Sequence, residues 1–323
     1  MRKAAILLTG RIKKMCGLLE IPHDAQYNFY MKKYLSHYTA AYFWRVPQLN
    51  TVLGPEISRT DTVDITFPKS ERIIRKKGQN SHSCSFSLPD GAILLRQGQW
   101  VSSPELLFLE LACSLTIHRL ILFGLQLCSH PPGCPERAIT NQQKLKALLD
   151  KTPGYHGHFK AARAIKYIED GSASIMESLA YMILRLPHTL GGYGLDGAVF
   201  NYEIKLSNES GKHLDQKRCF VDLYYKSEKL AVEYESFSFH SKPSEKDKDA
   251  LRSEILGRQG LKVMHLRTIQ LYDPYACSNF AVNLASGLDR RVQIRTRKFE
   301  EMHAHLRTLL PAGNRDVQSN DWT

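Results

Sequence analysis

The sequence of 323 residues has no uninterrupted hydrophobic run of membrane-spanning length. Its longest apolar region, residues 104–128, is interrupted by Glu110, His118 and Arg119, which indicates a buried helix instead. The basic segment at residues 1–14 contains an apolar run that ends early and lacks a small-residue cleavage site, so no signal peptide is expected. We therefore expect a cytoplasmic protein with no membrane partner.

Cysteine is scarce: seven residues, an odd number, are spread thinly along the chain, as in proteins that keep reduced thiols in a cytosol. No disulfide framework is predicted. Cys128, His130 and Cys134, with His156 and His158, have the residue types of a zinc site. Because their spacing is irregular and a prolyl loop intervenes, scattered thiols and surface histidines are the better interpretation.

Several function classes lack their motifs here. The sequence has no internal repeat, no low-complexity segment and no motif of a serine hydrolase or a kinase. The glycine-rich segment at 191–200 follows a predicted helix and precedes a predicted strand. That is the wrong order for a dinucleotide-binding or P-loop fingerprint, so a turn is expected instead.

Acidic residues are fewer than basic ones, with 32 Asp and Glu against 44 Lys and Arg and a net charge of +12. Residues 1–80 hold 14 basic and 6 acidic residues and so carry most of the excess. A basic lobe predicts a polyanionic partner, most economically DNA, although the charge would also serve solubility. The predicted DNA contacts are Lys13, Lys14, Arg72, Arg75, Lys76 and Lys77.

Turn residues and hydrophobic period predict a basic α+β accessory domain at 1–170, an α/β domain at 171–310 and a disordered tail at 311–323. The predicted N-terminal elements are a helix capped by Ser36, strands within 60–102, one helix from Pro104 to near Cys128 capped by Ser103, and helices near 141–150 and 158–170. The predicted C-terminal elements are a helix at 174–186, strands at 199–206, 218–225 and 229–235, a helix at 244–258, a strand at 261–267 and a helix at 275–310. This order indicates a mixed α/β layer.

Two short apolar strands carry carboxylates near their middles: Asp222 on the first, and Glu233 and Glu235 on the second. If the strands pair through the KSEK turn, all three carboxylates converge. Burial and mutual repulsion would then raise their pKa values, so basic side chains or a divalent cation must offset the cost. Mg²⁺ (or Mn²⁺) suits carboxylate ligands and would connect this site to a phosphodiester substrate.

Further candidates flank these strands. His240, Lys246 and Arg252 follow the acidic strand and would serve water or phosphate, although His240 also reads as an ordinary, partly buried histidine. Asp249 shares a helix face with Arg252, which is also the pattern of a solvated ion pair. Glu177 completes a capping box with Ser174, and its helix could in addition turn it toward the metal.

These residues also carry a family likeness. Glu177, FVDLYY with Asp222, LAVEYES with Glu233 and Glu235, FHS with His240, and then DALR and LGRQGLKVMHLRTIQL follow one another in order. The C-terminal half resembles a bacterial family related to the very-short-patch-repair endonucleases, within the PD-(D/E)XK superfamily. The resemblance implies a restriction-endonuclease-like mixed sheet flanked by helices, metal ligands at Glu177, Asp222, Glu233 and Glu235, and hydrolysis of DNA in repair or phage defence.

The N-terminal segments SHYTAAYFWRVP, VDITFPKSER and WVSSPELLFLELA resemble a region shared with AbiEi-type antitoxins, which implies a toxin as a partner protein. One departure matters: the superfamily pattern places a catalytic lysine where this chain has Glu235. Its task would fall to Lys246, His240 or a second metal ion. A catalytically inactive DNA-binding regulator of antitoxin type is therefore the alternative to a nuclease, and a protein-interaction role without nucleic acid is a weaker third.

Overall fold

The computed structural model describes residues 33–54, 62–69, 73, 76–206, 218–236 and 252–311. The described strands are β1 (Tyr34–Leu35), β2 (Val63–Pro68), β3 (Gln79–Cys84), β4 (Ile93–Arg96), β5 (Gln99–Ser102), β6 (Ala198–Lys205), β7 (Arg218–Tyr225), β8 (Leu230–Glu235) and β9 (Lys262–Arg267). The described helices are α1 (His37–Phe43), α2 (Leu49–Leu53), α3 (Pro104–Leu111), α4 (Ile117–Leu127), α5 (Gln142–Lys151), α6 (His158–Ala164), α7 (Ile175–Arg185), α8 (252–258), α9 (Thr268–Tyr272), α10 (Pro274–Gly287) and α11 (Phe299–Arg307). The predicted tail lies outside the described residues from 312 onward.

The first sheet has five strands in the order β3–β2–β1–β5–β4. Strand β2 forms where β-branched and aromatic residues alternate with polar ones, and it buries Ile65 and Phe67. It pairs antiparallel with β1 and parallel with β3. The predicted strands within 60–102 are confirmed.

The predicted single helix over 104–128 is wrong, because α3 and α4 are separate. Ser103 caps α3 as expected and accepts a hydrogen bond from the Leu106 amide at 3.2 Å. The chain turns after Leu111, and Thr116 caps α4 by accepting from the Arg119 amide. A hydroxyl placed before a second apolar run starts a new helix, because it satisfies one of the orphan amides there.

Ser36 precedes α1, but its side chain makes no cap hydrogen bond, which corrects the sequence prediction. Its hydroxyl instead accepts a hydrogen bond from Thr66 Oγ1 of β2 at 2.7 Å. This hydrogen bond therefore joins the start of α1 to β2.

Glu110 is fully buried on α3 and explains why a carboxylate interrupts the longest apolar region. The Tyr34 hydroxyl donates to Oε1 at 3.0 Å, and the His37 amide donates to Oε2 at 3.2 Å. Burial raises the pKa of Glu110 to about 7 in spite of these donors. The side chain ties β1 and the first turn of α1 to the helix layer.

The second sheet has four strands in the order β6–β7–β8–β9. The first three strands form an antiparallel meander, and β9 returns parallel to β8 after α8. Helix α7 covers the meander. Two sheets with helices packed against them give a mixed α/β architecture, as the sequence predicts.

Two helix predictions need correction in length. The helix expected over 158–170 is α6, which ends at Ala164 and continues as a 3₁₀ turn at Ile165–Tyr167. The helix expected over 275–310 is two helices, α10 and α11, separated by residues 288–298, which are neither helix nor strand. None of the described helices is both long and apolar enough to cross a membrane.

The turn at 188–192 is held from two sides. The ring N–H at Nε2 of His118 on α4 donates to the Leu190 carbonyl (2.9 Å), and Nδ1 of His303 on α11 donates to the Gly191 carbonyl (2.7 Å). Gly191 has a φ of +78°, and a Cβ there would lie 2.4 Å from the backbone of α11. Buried hydrophobic residues of both halves of the chain form one continuous cluster around this region.

We predict that Glu110→Leu lowers the free energy of unfolding by about 2–4 kcal/mol, because it leaves the Tyr34 hydroxyl and the His37 amide buried without an acceptor. Glu110→Gln keeps one acceptor and should cost clearly less. Urea denaturation of the two variants measures the difference. Equal losses would show that the carboxylate is not the acceptor that matters.

Candidate functional site

The site lies where β7 and β8 separate. Their ladder pairs Tyr225 with Leu230, Tyr224 with Ala231 and Leu223 with Val232, through the predicted KSEK turn. Beyond Leu223, side-chain carboxylates accept hydrogen bonds from the backbone amides of the two strands. The carboxylate of Asp222 accepts the Tyr234 amide at 2.7 Å, and the Asp222 amide donates to the carboxylate of Glu233.

Glu177 reaches the same place from the first turn of α7. Ser174 caps this helix by accepting from the Glu177 amide at 3.1 Å. Glu177 Oε2 accepts the Ala173 amide and the side-chain amide of Asn201, both at 2.9 Å, so only the serine half of the predicted capping box forms. Its two partners hold this carboxylate toward the meander.

Asn201 is the member of the site that sequence reasoning missed. It lies within β6 at a φ of +43°, and the register with β7 passes from Phe200↔Leu223 to Tyr202↔Val221 without pairing it. This left-handed residue interrupts the ladder beside Asp222, and asparagine tolerates that conformation better than most residues. A lone asparagine inside an apolar strand is the only signal in the sequence.

Burial raises the pKa values of all three carboxyl groups, and the charge of Asp222 adds to the rise for Glu177 and Glu233. The pKa of Glu177 rises to about 7 and that of Glu233 to about 8, and burial also raises the pKa of Asp222. Three acidic side chains from three different elements are therefore held together at an electrostatic cost.

Arg252, in α8, is the cation that offsets part of this cost. Its Nη2 lies 3.0 Å from Glu233 Oε1 and also donates to the Phe220 carbonyl. The guanidinium favours the ionised forms of Glu233 and Asp222. The predicted partner Asp249 lies outside the described residues.

Glu235 does not join the three carboxylates, which corrects the predicted convergence of all the acidic side chains. Arg267 Nε donates to its Oε2 at 3.3 Å. His265 Nδ1 lies 2.8 Å from its Oε1, without the angle of a hydrogen bond. The side chain is 43% exposed, so its environment differs from that of Glu233.

The other predicted site residues are only partly covered by the structure. Lys76 and Lys77 are exposed in the turn before β3. The predicted residues outside the described ranges are Lys13, Lys14, Arg72, Arg75, His240 and Lys246.

The rejected zinc set is dispersed among ordinary contacts. Cys128 is buried, and His158 contacts the Leu149 carbonyl at 3.0 Å. His156 Nδ1 lies 3.0 Å from the thiol of Cys113.

No protein-family model, curated protein or solved structure matches the chain. The relationship to the very-short-patch-repair and AbiEi families therefore stays a prediction.

The carboxylates have the right chemistry for a hard divalent cation, which prefers oxygen ligands. Their placement is less suited, because a hydrogen-bond donor already contacts each of Glu177, Asp222 and Glu233. Within the described part of the chain, no group of three or more His, Cys, Asp or Glu side chains has the arrangement to hold a metal ion. A cation that binds Glu233 would have to displace Arg252.

The raised pKa values predict that this site makes stability fall as pH rises. A carboxyl group with a folded pKa above its unfolded value of 4.5 binds more protons in the folded state, so the free energy of unfolding falls between about pH 4.5 and pH 8. Glutamine resembles the protonated form. We predict that Glu233→Gln removes much of this fall, up to about 5 kcal/mol.

Urea denaturation at pH 5 to 8.5, relative to wild type, tests this prediction. Glu203→Gln is the matched control, because Glu203 lies in the same sheet but its side chain is 37% exposed and contacts Arg218. If both variants follow the wild-type pH dependence, the pKa of Glu233 is not raised in the folded protein and the prediction is wrong.

Proposed function

We propose that the chain is a metal-dependent DNA endonuclease-like protein that hydrolyses phosphodiester bonds at Glu177, Asp222 and Glu233. One observation carries the proposal: α7, β7 and β8 each bring a carboxylate to one buried place, and only one cation, Arg252, lies against them among the described residues. Stability alone does not favour such a cluster. Binding of a divalent cation and a phosphate would explain why the three carboxylates lie together.

The order of elements supports the proposal. A helix, three antiparallel strands, a second helix and a strand parallel to the third are compatible with a restriction-endonuclease-like mixed sheet. The carboxylates lie at the point where the two central strands separate, so their side chains fill a gap that backbone hydrogen bonds would otherwise close.

The proposed roles follow from the contacts. Asp222 and Glu233 would hold Mg²⁺ (or Mn²⁺), and Glu177, fixed by Ala173 and Asn201, would complete the acidic surface. When bound, the ion activates water and stabilises the leaving oxygen of a phosphodiester. Once Glu233 binds the ion, Arg252 is free to contact a phosphate oxygen.

The first test of this proposal is cleavage. We predict that the protein nicks or cuts DNA with Mg²⁺ or Mn²⁺, and that Asp222→Asn lowers the rate by at least about 100-fold. The substitution removes a charged ligand of the ion that would stabilise the negative charge developing on the phosphate. Supercoiled and linear DNA, followed on gels, provide the measurement. Glu203→Gln is the control and should cleave as wild type. No cleavage of any form of DNA by the wild type would contradict the proposal.

A second test does not depend on activity. We predict that Mg²⁺ or Mn²⁺ raises the melting temperature, and that the rise is larger at pH 8.5 than at pH 6, because the ligands must lose their protons to bind the ion. The effect should be absent in Glu233→Gln and intact in Glu203→Gln. A metal effect of the same size at both pH values would show binding somewhere other than at these carboxylates.

The Arg252–Glu233 ion pair favours one second candidate function, a DNA-binding regulator of antitoxin type without catalysis. In that protein the pair would be a permanent structural contact, and Glu235 in place of the superfamily's lysine would carry no cost. Binding of DNA that is insensitive to divalent ions, with no cleavage and no shift in melting temperature, would favour this candidate. A toxin partner remains a proposal from the family resemblance.

A further inference from the structure

The segment between α10 and α11 is strongly basic. Residues 288–298, with the sequence LDRRVQIRTRK, contain five basic residues and one acidic residue, and we call them the basic strap. The strap lies in the C-terminal half, away from the N-terminal residues whose charge first indicated a DNA partner. Its basic residues are Arg290, Arg291, Arg295, Arg297 and Lys298.

The strap is anchored at both ends. At its start, Arg290 Nη1 lies 3.1 Å from Asp196 Oδ1, and Nη2 lies 3.2 Å from Glu228 Oε1. At its end, Phe299 is buried, with its ring stacked on His303 at 5.1 Å. The backbone between these anchors is therefore held against the protein surface.

The remaining charges of the strap point to solvent. Arg291, Arg295, Arg297 and Lys298 are all exposed. Arg295 contacts only the neutral side chain of Gln293, at 2.6 Å. Across the ranges that the structure describes, no carboxylate forms an ion pair with any of these four residues, in contrast to Arg290.

Like charges close together along the chain repel one another, and they attract a polyanion whose binding relieves that repulsion. Three of the four exposed cations are arginines, which bind phosphate oxygens in a bidentate manner. The strap has no exposed aromatic side chain to stack on a base, so it suits contacts to the sugar–phosphate backbone rather than sequence readout.

The first anchor relates the strap to the carboxylates. Glu228 lies in the turn between β7 and β8, the same hairpin that carries Asp222 and Glu233. Asp222 and Glu233 each lie three residues along their strand from the pair Tyr225 and Leu230 that borders this turn, or roughly 10 Å. A DNA backbone that contacts both places would span about three base steps.

We propose that the basic strap binds the phosphate backbone of duplex DNA on one side of the carboxylate site. This inference rests on the DNA substrate of the proposed function, but not on cleavage. The residues that make the contacts are Arg291, Arg295, Arg297 and Lys298, and Arg290 positions them.

The test is binding of labelled duplex DNA, followed by fluorescence anisotropy in EDTA so that metal and cleavage play no part. We predict that the triple variant Arg291→Gln, Arg295→Gln, Arg297→Gln binds about 10–100-fold more weakly near physiological salt. Its slope of log affinity against log salt should be smaller than the wild-type slope by about 2–3, one for each lost phosphate contact.

The matched control neutralises three exposed lysines of α5, Lys144, Lys146 and Lys151, and so changes the net charge equally. This variant should keep nearly all of the affinity and the slope. The substituted arginines are exposed, so an unchanged melting temperature should show that the strap variant is folded; should it melt lower, Arg295→Gln alone should still reduce the slope by about one.

Equal affinities and slopes for the strap and control variants would overturn the proposal. So would wild-type binding to vesicles of anionic phospholipid without binding to the duplex. If the strap effect is present but no DNA is cut with Mg²⁺ or Mn²⁺, the strap proposal stands and the hydrolase proposal fails.

Discussion

The second sheet has to accommodate three neighbouring carboxyl groups, of which Glu177 is buried and Asp222 and Glu233 are partly buried. Asp222 and Glu233 take over the hydrogen bonds that would continue the ladder between β7 and β8, and Glu177 approaches them from α7. Each side chain also accepts a hydrogen bond from the surrounding structure. The sheet keeps its shape because these donors and Arg252 compensate for charges that burial and proximity both disfavour.

The N-terminal half also buries a carboxylate, but its surroundings differ. Glu110 is more deeply buried, no described acidic residue raises its pKa, and its oxygens accept from Tyr34 and the His37 amide. One isolated carboxyl group with two donors is a structural tie between helix and sheet. In the second group three carboxyl groups lie together, and Arg252 favours the ionised forms of only Asp222 and Glu233. This contrast is why we propose a function for the second group.

Much of the fold could be predicted from the sequence, because hydrophobic period and turn residues act locally. The meander, the KSEK turn and the caps at Ser103 and Ser174 all depend on residues within a few positions of one another. The break between α3 and α4 was missed because the apolar run continues across it, so the period alone gives no warning. The segment 288–298 was likewise absorbed into one long predicted helix.

The candidate site was predictable only as far as strand register determines it. Pairing through the turn places Asp222 opposite Glu233, and that is what the structure has. The period of two also places Glu235 on the same face as Glu233, but Arg267 and His265 on β9 hold it away from the carboxylates. Contacts made by a strand that arrives thirty residues later, or by Asn201 in its left-handed conformation, depend on tertiary structure and leave little local signal.

The turn at 188–192 has a consequence for how the chain is made. Its two carbonyls receive their donors from His118 and His303, which are separated by more than half of the sequence. During synthesis His118 leaves the ribosome well before His303, because the chain is made from its N-terminus. The hydrophobic cluster around the turn therefore cannot close until α11 has been made, and a nascent chain stalled before α11 would expose apolar surface to chaperones.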